Sequence, residues 1–318
     1  MSGSARCAGL RPGAAEPMSQ NLDPQYLFDR PLIRARALRF AGASPQFLRD
    51  YALQDISEKL QDIKRDFDRI CVLDWTPSTQ DALFRAGHTG EIIAVNQTAG
   101  LVTPAGGQSI CAASEALPLA ARSMPCIVSL LDLQLVNDLP GALVQIERAL
   151  SPDGLFIGVM LGGGSLQELR EVFLQAESEI TGGAALRVAP FADVRDLGGL
   201  MQRAGFALPV VDADQVTVRY AHMLDLLKDL RHMGWANPLA GRPRNFLRRD
   251  VLVRAGEIYA ERFSDPDGRI RATFTLVWLT GWSPHESQQK PLKPGSAKVR
   301  LADALGTSER GFDAKASD

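Results

Sequence analysis

The 318-residue chain has no CxxC pair; its four cysteines, Cys7, Cys71, Cys111 and Cys126, are scattered. That excludes a zinc ribbon or a thioredoxin-type redox pair, and the apolar surroundings of Cys71 and Cys126 read as reduced structural thiols in a cytosol-like compartment. Charge of one sign is also lacking, with 35 Lys and Arg against 37 Asp and Glu. A global electrostatic pull toward nucleic acid or an anionic membrane is therefore excluded, while local basic patches are not. No apolar run approaches the roughly 20 residues that span a bilayer, so the chain reads as soluble and without a transmembrane segment, with peripheral docking on a membrane complex still open. A GxSxG elbow, a Walker A loop and a Cys-His pairing are missing, which leaves the common hydrolase and NTPase chemistries without their groups. The four histidines, His88, His222, His232 and His285, show no HxD or HxxxH spacing. A two-His, one-carboxylate iron site could form only from distant segments, and no metal is expected.

What is present is 45% hydrophobic content, enough for one sizeable core in a chain of this length. Residues 1–25 are expected to be a disordered tail. They lack the continuous apolar core of a secretory signal; Arg6 and Arg11 leave a transit peptide open, and Met18 is an alternative start of translation. Residues 26–285 read as one domain, with a helical insertion at about 220–263. Residues 286–318 read as a polar, Pro-rich tail.

Within the domain, strands and helices alternate. Leu48, Ala52, Ile56, Leu60, Ile63 and Phe67 recur at helical spacing, predicting an amphipathic helix over 48–67. Short apolar strands are predicted at 70–74, 91–95 ("EIIAV"), 109–113 ("SICAA"), 126–131 ("CIVSLL") and 155–161 ("LFIGVML"), all buried as parallel strands are. Thr76 and Pro77 suit the cap and first position of a helix that Gly87 and Gly90 close. Asn137 or Asp138 caps another, which "SPDG" at 151–154 stops. Ser165 and Glu168 have capping-box spacing before a helix bearing Leu166, Leu169, Val172, Phe173, Ala176 and Ile180. A helix at about 193–204 ends at Gly205, and "FALPVVDADQVTVRY" supplies a sixth strand or hairpin arm. Two helices follow, then a last strand at 272–282. The fold class is α/β, a doubly wound, mostly parallel seven-stranded sheet.

The strand ending in "VLD", the "SEALPL" segment and "LSPDGLFIG" together resemble class I S-adenosylmethionine-dependent methyltransferases over residues 45–280. "SLQELREVF", "FADVRDLGGLMQRAGF" and "DGRIRATFTLVW" are similar to the branch holding the biotin-pathway malonyl-carrier-protein methyltransferase. "LVNDLPGALVQIERALSPDGLFIGVMLGGGSLQELR", "APFADVRDLGGL", "HMLDLLKDLRHMG" and "GWSPHESQQKPLKPGSA" are more similar still to the methyltransferase-like assembly factors of respiratory complex I and their α-proteobacterial relatives. That resemblance implies modification of an arginine on a complex I subunit by hydroxylation, in the mitochondrial matrix or, for a bacterial chain, the cytoplasm.

The resemblance also implies a cofactor site: a glycine-rich turn after the first strand, an acid after the second for the ribose and an Asp after the third near the adenine. The first Asp falls on Asp74, but Trp75, Thr76 and Pro77 stand where glycines are expected. The second acid falls on Asn96, and the third on Ala113 with Glu115 nearby. Glycine permits positive φ and close backbone approach, which tryptophan and proline oppose. The cofactor-binding candidates are thus Asp74, Trp75, Thr76, Asn96 and Glu115, with S-adenosylmethionine bound weakly or lost. Asp74 is either a residual ligand or a turn carboxylate; Trp75 is either a stacking platform or a plug. Gly162, Gly163 and Gly164 are either an anion-binding helix start or a flexible turn. The stretch with Arg231, Arg242, Arg244, Arg248 and Arg249 around Trp235 and Phe246 is either a solvated surface or a face docking an acidic protein. Arg170, Arg231 and Arg244 are the candidate contacts to a protein partner, a peripheral-arm subunit of complex I. Two classes follow, a pseudo-enzyme turned assembly module and an active methyltransferase on a small acid or protein.

Overall fold

Strand pairing sets the architecture. In the computed structural model, which describes residues 26–40, 47–63, 65–98 and 103–288, seven strands form one sheet in the order β3-β2-β1-β4-β5-β7-β6. β1 (Arg69–Leu73), β2 (Glu91–Asn96), β3 (Gln108–Cys111), β4 (Met124–Leu130) and β5 (Leu150–Leu161) run parallel. β7 (Ile270–Trp282) enters antiparallel between β5 and β6 (Ala207–Tyr220). This is the class I methyltransferase fold. The helices are α1 (Arg30–Phe40), α2 (Phe47–Asp62), α3 (Pro77–Arg85), α4 (Leu139–Ala149), α5 (Gln167–Thr181), α6 (Val194–Arg203), α7 (Met223–His232) and α8 (Arg249–Phe263). α7 and α8 stand between β6 and β7, where the helical insertion is expected.

The period-2 alternation along β1 divides the core. Ile70 and Val72 face a cluster containing residues of α2, α3, α5, α7 and α8, while Cys71 and Leu73 face one containing residues of α4 and α6. Both faces of β1 and β4 are therefore apolar, as a central parallel strand requires. Cys71 and Cys126 are wholly buried, and burial pushes the Cys71 thiol up to about 12, which keeps it a protonated packing residue.

Several sequence expectations change. α2 stops at Asp62, and Phe67 is buried from the extended run before β1 rather than from a helix. β3 is an exposed sheet edge, so "SICAA" owes its pairing to the backbone bonds of β2 and not to apolar burial. β5 begins at Leu150, so "SPDG" lies inside the strand's span, with Asp153 at φ 61° and a register shift opposite Met124 and Cys126. Asp138, not Asn137, caps α4, its carboxylate accepting the Gly141 N–H at 2.8 Å.

The capping box at Ser165 and Glu168 does not form. Leu166 occupies the N-cap position with φ 55°, and both polar side chains turn to β7 instead. Ser165 Oγ donates to the Thr275 carbonyl at 3.1 Å and accepts the Thr275 N–H at 3.0 Å. Glu168, buried, accepts the Thr273 N–H at 3.2 Å and the Thr273 hydroxyl. These bonds lock the start of α5 to the sheet. Buried backbone groups of β7 offer better partners than the helix's own exposed N–H groups, which water can satisfy. The glycine turn before α5 is engaged as well: the Gly162 N–H bonds Thr275 O and the Gly163 N–H bonds Ala192 O, so neither faces an anion.

Candidate functional site

The order β3-β2-β1-β4-β5 reverses direction between β1 and β4, and ligands of open α/β sheets bind outside the carboxyl ends at such a point. Asp74 follows β1 there. It takes φ 62°, a left-handed conformation that Asp tolerates better than most side chains. Its N–H bonds Val95 O at 2.9 Å, which sets it level with Asn96 on β2. Arg49, in the first turn of α2, donates to the Asp74 carbonyl at 2.9 Å and pairs with the Asp74 carboxylate, which is 38% exposed.

Trp75 is 2% exposed and packs in the cluster shared by α2, α3 and β1, with its indole N–H unpartnered among the described residues. Thr76 is the N-cap of α3 at φ −138°. Its N–H donates to Thr79 Oγ1 at 3.2 Å, and its hydroxyl meets those of Ser78 and Thr79 at 3.0 and 3.1 Å. The turn therefore engages the N–H of Asp74 and of Thr76 internally, and Pro77 has none to offer.

Asn96 ends β2 at 3% exposure, and neither its amide nitrogen nor its amide oxygen has a partner among the described residues. Buried polar atoms are ordinarily paired, so this amide is a candidate contact for a ligand or a bound water. Glu115 faces elsewhere. It pairs with Arg30 of α1 at 3.1 Å, accepts the Asp138 N–H at 3.1 Å and also accepts the Asn137 N–H. These bonds tie α1 and the start of α4 to the segment after β3.

The sequence reading missed Asp132. It follows β4 directly after Leu131 (φ 50°), is 6% exposed, accepts Gln97 Nε2 at 2.7 Å and accepts the Ser114 hydroxyl. Burial and, next, the charge of Asp74 push its carboxyl above the usual range; the two hydrogen bonds and Arg30 oppose the rise. The signal was available, because "LLD" repeats the strand-then-Asp pattern that singles out Asp74 in "VLD". Asp74 and Asp132 thus stand on the two sides of the switch point with Arg49 paired to the first; among the described residues no cation is bonded to the second, which the charge of Arg30 reaches.

S-adenosylmethionine fits this edge in part. Asn96 suits a ribose diol. The turn that would meet the methionine portion has the N–H groups of Asp74 and Thr76 engaged, a buried indole in place of glycine and its carboxylate paired to Arg49.

No protein-family model matches the chain. The arginine-hydroxylase NDUFAF5, mitochondrial, of Rattus norvegicus is 35% identical over 93% of this chain and 90% of the relative. The chain belongs to the NDUFAF5 family. The Danio rerio member is 44% identical over 62% of the chain, a match spanning 61% of that relative's length. Beyond the family, a malonyl-[acyl-carrier protein] O-methyltransferase of Halorhodospira halophila is 33% identical over 60% of the chain and 62% of its own length. Among solved structures, the YcgJ protein from Bacillus subtilis superposes with TM-score 0.51 over 74% of this chain and 99% of YcgJ, at 14% identity, which is a likeness of fold alone.

Among the described residues no group of three or more His, Cys, Asp and Glu is placed to hold a metal ion, and no helix is long and apolar enough to cross a membrane. Arg170, a candidate partner contact, turns inward: its guanidinium donates to Ser165 O at 3.4 Å and Ala189 O at 3.2 Å. Arg231 and Arg244 are exposed.

Proposed function

We propose that this NDUFAF5-family chain acts on an arginine side chain of a protein partner, a peripheral-arm subunit of respiratory complex I or its unassembled precursor, in the mitochondrial matrix or in a bacterial cytoplasm. The observation that carries the reading is that Asp74 and Asp132 stand at the switch point with Arg49 paired to the first, while the second, buried, is bonded only by the neutral donors Gln97 and Ser114 among the described residues and so lacks a bonded positive charge. A guanidinium supplies that charge together with planar, paired donors that match a carboxylate. Asp132 keeps free lone pairs for it beside the bonds from Gln97 and Ser114. In this role Asp132 orients the substrate side chain, and Asp74 with Arg49 sets the electrostatic balance of the edge.

The S-adenosylmethionine site is degraded in this proposal. Replacing a carboxylate contact to the ribose by an amide weakens binding by about 1 kcal/mol, close to tenfold, and the engaged turn removes donors of similar worth. Dissociation constants on the order of hundreds of micromolar or weaker are expected by calorimetry; a low-micromolar constant overturns the degraded site. It would favour the second reading, an active methyltransferase on a small acid or protein, which the orphaned amide of Asn96 supports.

The arginine reading is tested by mass spectrometry of peripheral-arm subunits from cells with and without the protein. One arginine should carry a one-oxygen gain, the oxygen drawn from dioxygen with a two-electron reductant supplied from outside the chain and the second oxygen leaving as water, and that gain should disappear on deletion and in Asp132→Asn. Unchanged arginine modification in the deletion strain sinks it.

A further inference from the structure

α1, α7 and the segment joining α7 to α8 bring four arginines together around a single carboxylate. Arg242 pairs with Asp29 at 2.9 Å, and the charge of Arg244 also reaches Asp29. Arg36 feels the charges of both Arg242 and Arg231, which with burial hold its guanidinium below the usual range. Arg36 is anchored by the carbonyls of Ala236 and Asn237, the second at 3.3 Å, so it is fixed in place without being neutralised. Arg231 and Arg244 are exposed and make no ion pair among the described residues. Arg242 and Arg36 are thus fixed by their bonds, with Arg231 in the last turn of α7 and Arg244 two residues beyond Arg242 bordering them as exposed cations. Such a grouping raises the energy of the free protein unless counter-charge arrives from outside.

The position of this face relative to the switch point adds a length. α1 carries both ends of the connection: Arg30 donates to the Leu135 carbonyl at 3.1 Å, in the short helical turn that follows Asp132, and Arg36 donates to the Ala236 and Asn237 carbonyls in the basic face. Six residues of helix separate the two by about 9 Å along the axis. An extended peptide covers that span in about three residues.

We infer that the face formed by Arg36, Arg231, Arg242 and Arg244 receives an acidic segment of the protein partner, lying about three residues from the arginine seated at Asp74 and Asp132. The spacing rests on the arginine reading proposed above; the basic face itself does not. Arginine's planar donors favour carboxylates, and such residues recur at interface centres.

Fluorescence anisotropy with synthetic peptides tests this. One peptide carries a single arginine with two glutamates centred three residues away, a second replaces the glutamates by glutamine, a third moves them ten residues away, and the leucine peptide replaces the arginine of the first by leucine and, as its control, that of the second. The full chain should bind the first peptide about three- to tenfold more tightly than the second or third in low salt. Arg231→Gln/Arg244→Gln should erase that preference with an unchanged thermal unfolding midpoint. Equal binding of the first two peptides, or a preference that survives in the double variant, overturns the proposal. Vesicles of phosphatidylcholine with phosphatidylserine that bind in an Arg231- and Arg244-dependent way, while the glutamate preference is absent, assign the face to lipid and also overturn it. Loss of the glutamate preference only in the leucine peptide supports the stated spacing. A glutamate preference that persists unchanged in the leucine peptide supports the acidic-partner face and counts against the arginine reading alone.

Discussion

Replacing Trp75 by alanine separates an indole that fills a lost cofactor position from one that is merely a wall of the core. The side chain is 2% exposed within the cluster of α2, α3 and β1. Truncating a buried Trp costs about 3–5 kcal/mol, combining lost transfer energy with the cavity left behind. No hydrogen bond is lost, because the indole N–H has no partner among the described residues. The α3 cap at Thr76 rests on hydroxyl and backbone groups that the change does not touch. At roughly 2–4 °C per kcal/mol for a domain of this size, the unfolding midpoint should fall by roughly 6–20 °C. Urea denaturation supplies the free energy, and Trp75→Phe, which keeps most of the volume, should cost less than about 1.5 kcal/mol. The same variants go into calorimetry with S-adenosylmethionine. If the indole plugs the cofactor position, Trp75→Ala binds the cofactor more tightly than wild type despite being less stable. A loss below about 1 kcal/mol refutes the packing argument. An unchanged cofactor affinity refutes the plug.

Other outcomes follow from single contacts. Glu168→Gln and Ser165→Ala each weaken the lock between α5 and β7 and should cost about 1–3 kcal/mol in denaturant unfolding, the cost of leaving buried donors on β7 unsatisfied. Gly90→Ala should destabilise by about 1–3 kcal/mol, because its Cβ would stand 2.2 Å from Asp68 O. The carboxyl of Asp132 is raised in the folded state, so between its unfolded and folded pKa the native chain holds the extra proton, and stability from this group declines as pH rises through that window. Measured against Asp132→Asn in a pH series, wild type should therefore lose relative stability on going from acid toward neutral pH. Asp29, lowered by its hydrogen bonds and by Arg242 despite burial, contributes in the opposite sense, with stabilisation lost as pH falls through its folded pKa. An Asp29→Asn variant should show that loss removed, and a flat difference curve in either pair contradicts the assigned cause.

The elements that were legible in the sequence are those whose signal is local. The apolar runs of β1, β2, β4 and β5, the Thr76-Pro77 helix start and the glycine stops at Gly87 and Gly205 each depend on a few neighbouring residues. The failures share one cause. Ser165 and Glu168 satisfy a local capping rule, yet β7, more than a hundred residues later, supplies buried partners that outcompete it. Arg170 looks like a surface arginine until the Ala189 carbonyl is brought beside it. Asp132 escaped notice because its significance arises from Asp74, Gln97 and Ser114, which pairing of β1, β2, β3 and β4 assembles only in three dimensions.

The cofactor turn obeys the same logic with a different result. Trp75 and Pro77 oppose ligand approach by their own local chemistry, and that part was readable. What the sequence did not show is that polar groups of this turn are engaged internally: Arg49 pairs with Asp74, and Thr79 accepts the Thr76 N–H. The Asp74 carboxylate and the N–H groups of Asp74 and Thr76 have partners within the chain, whereas the amide of Asn96, one strand away, has none among the described residues. Among the described residues the Asn96 amide after β2 and the Trp75 indole N–H after β1 lack partners, while Asp132 after β4 accepts from Gln97 and Ser114. On the reading proposed above, a ligand gains most by pairing the Asn96 amide, because the Asp74 and Thr76 N–H groups are already bonded.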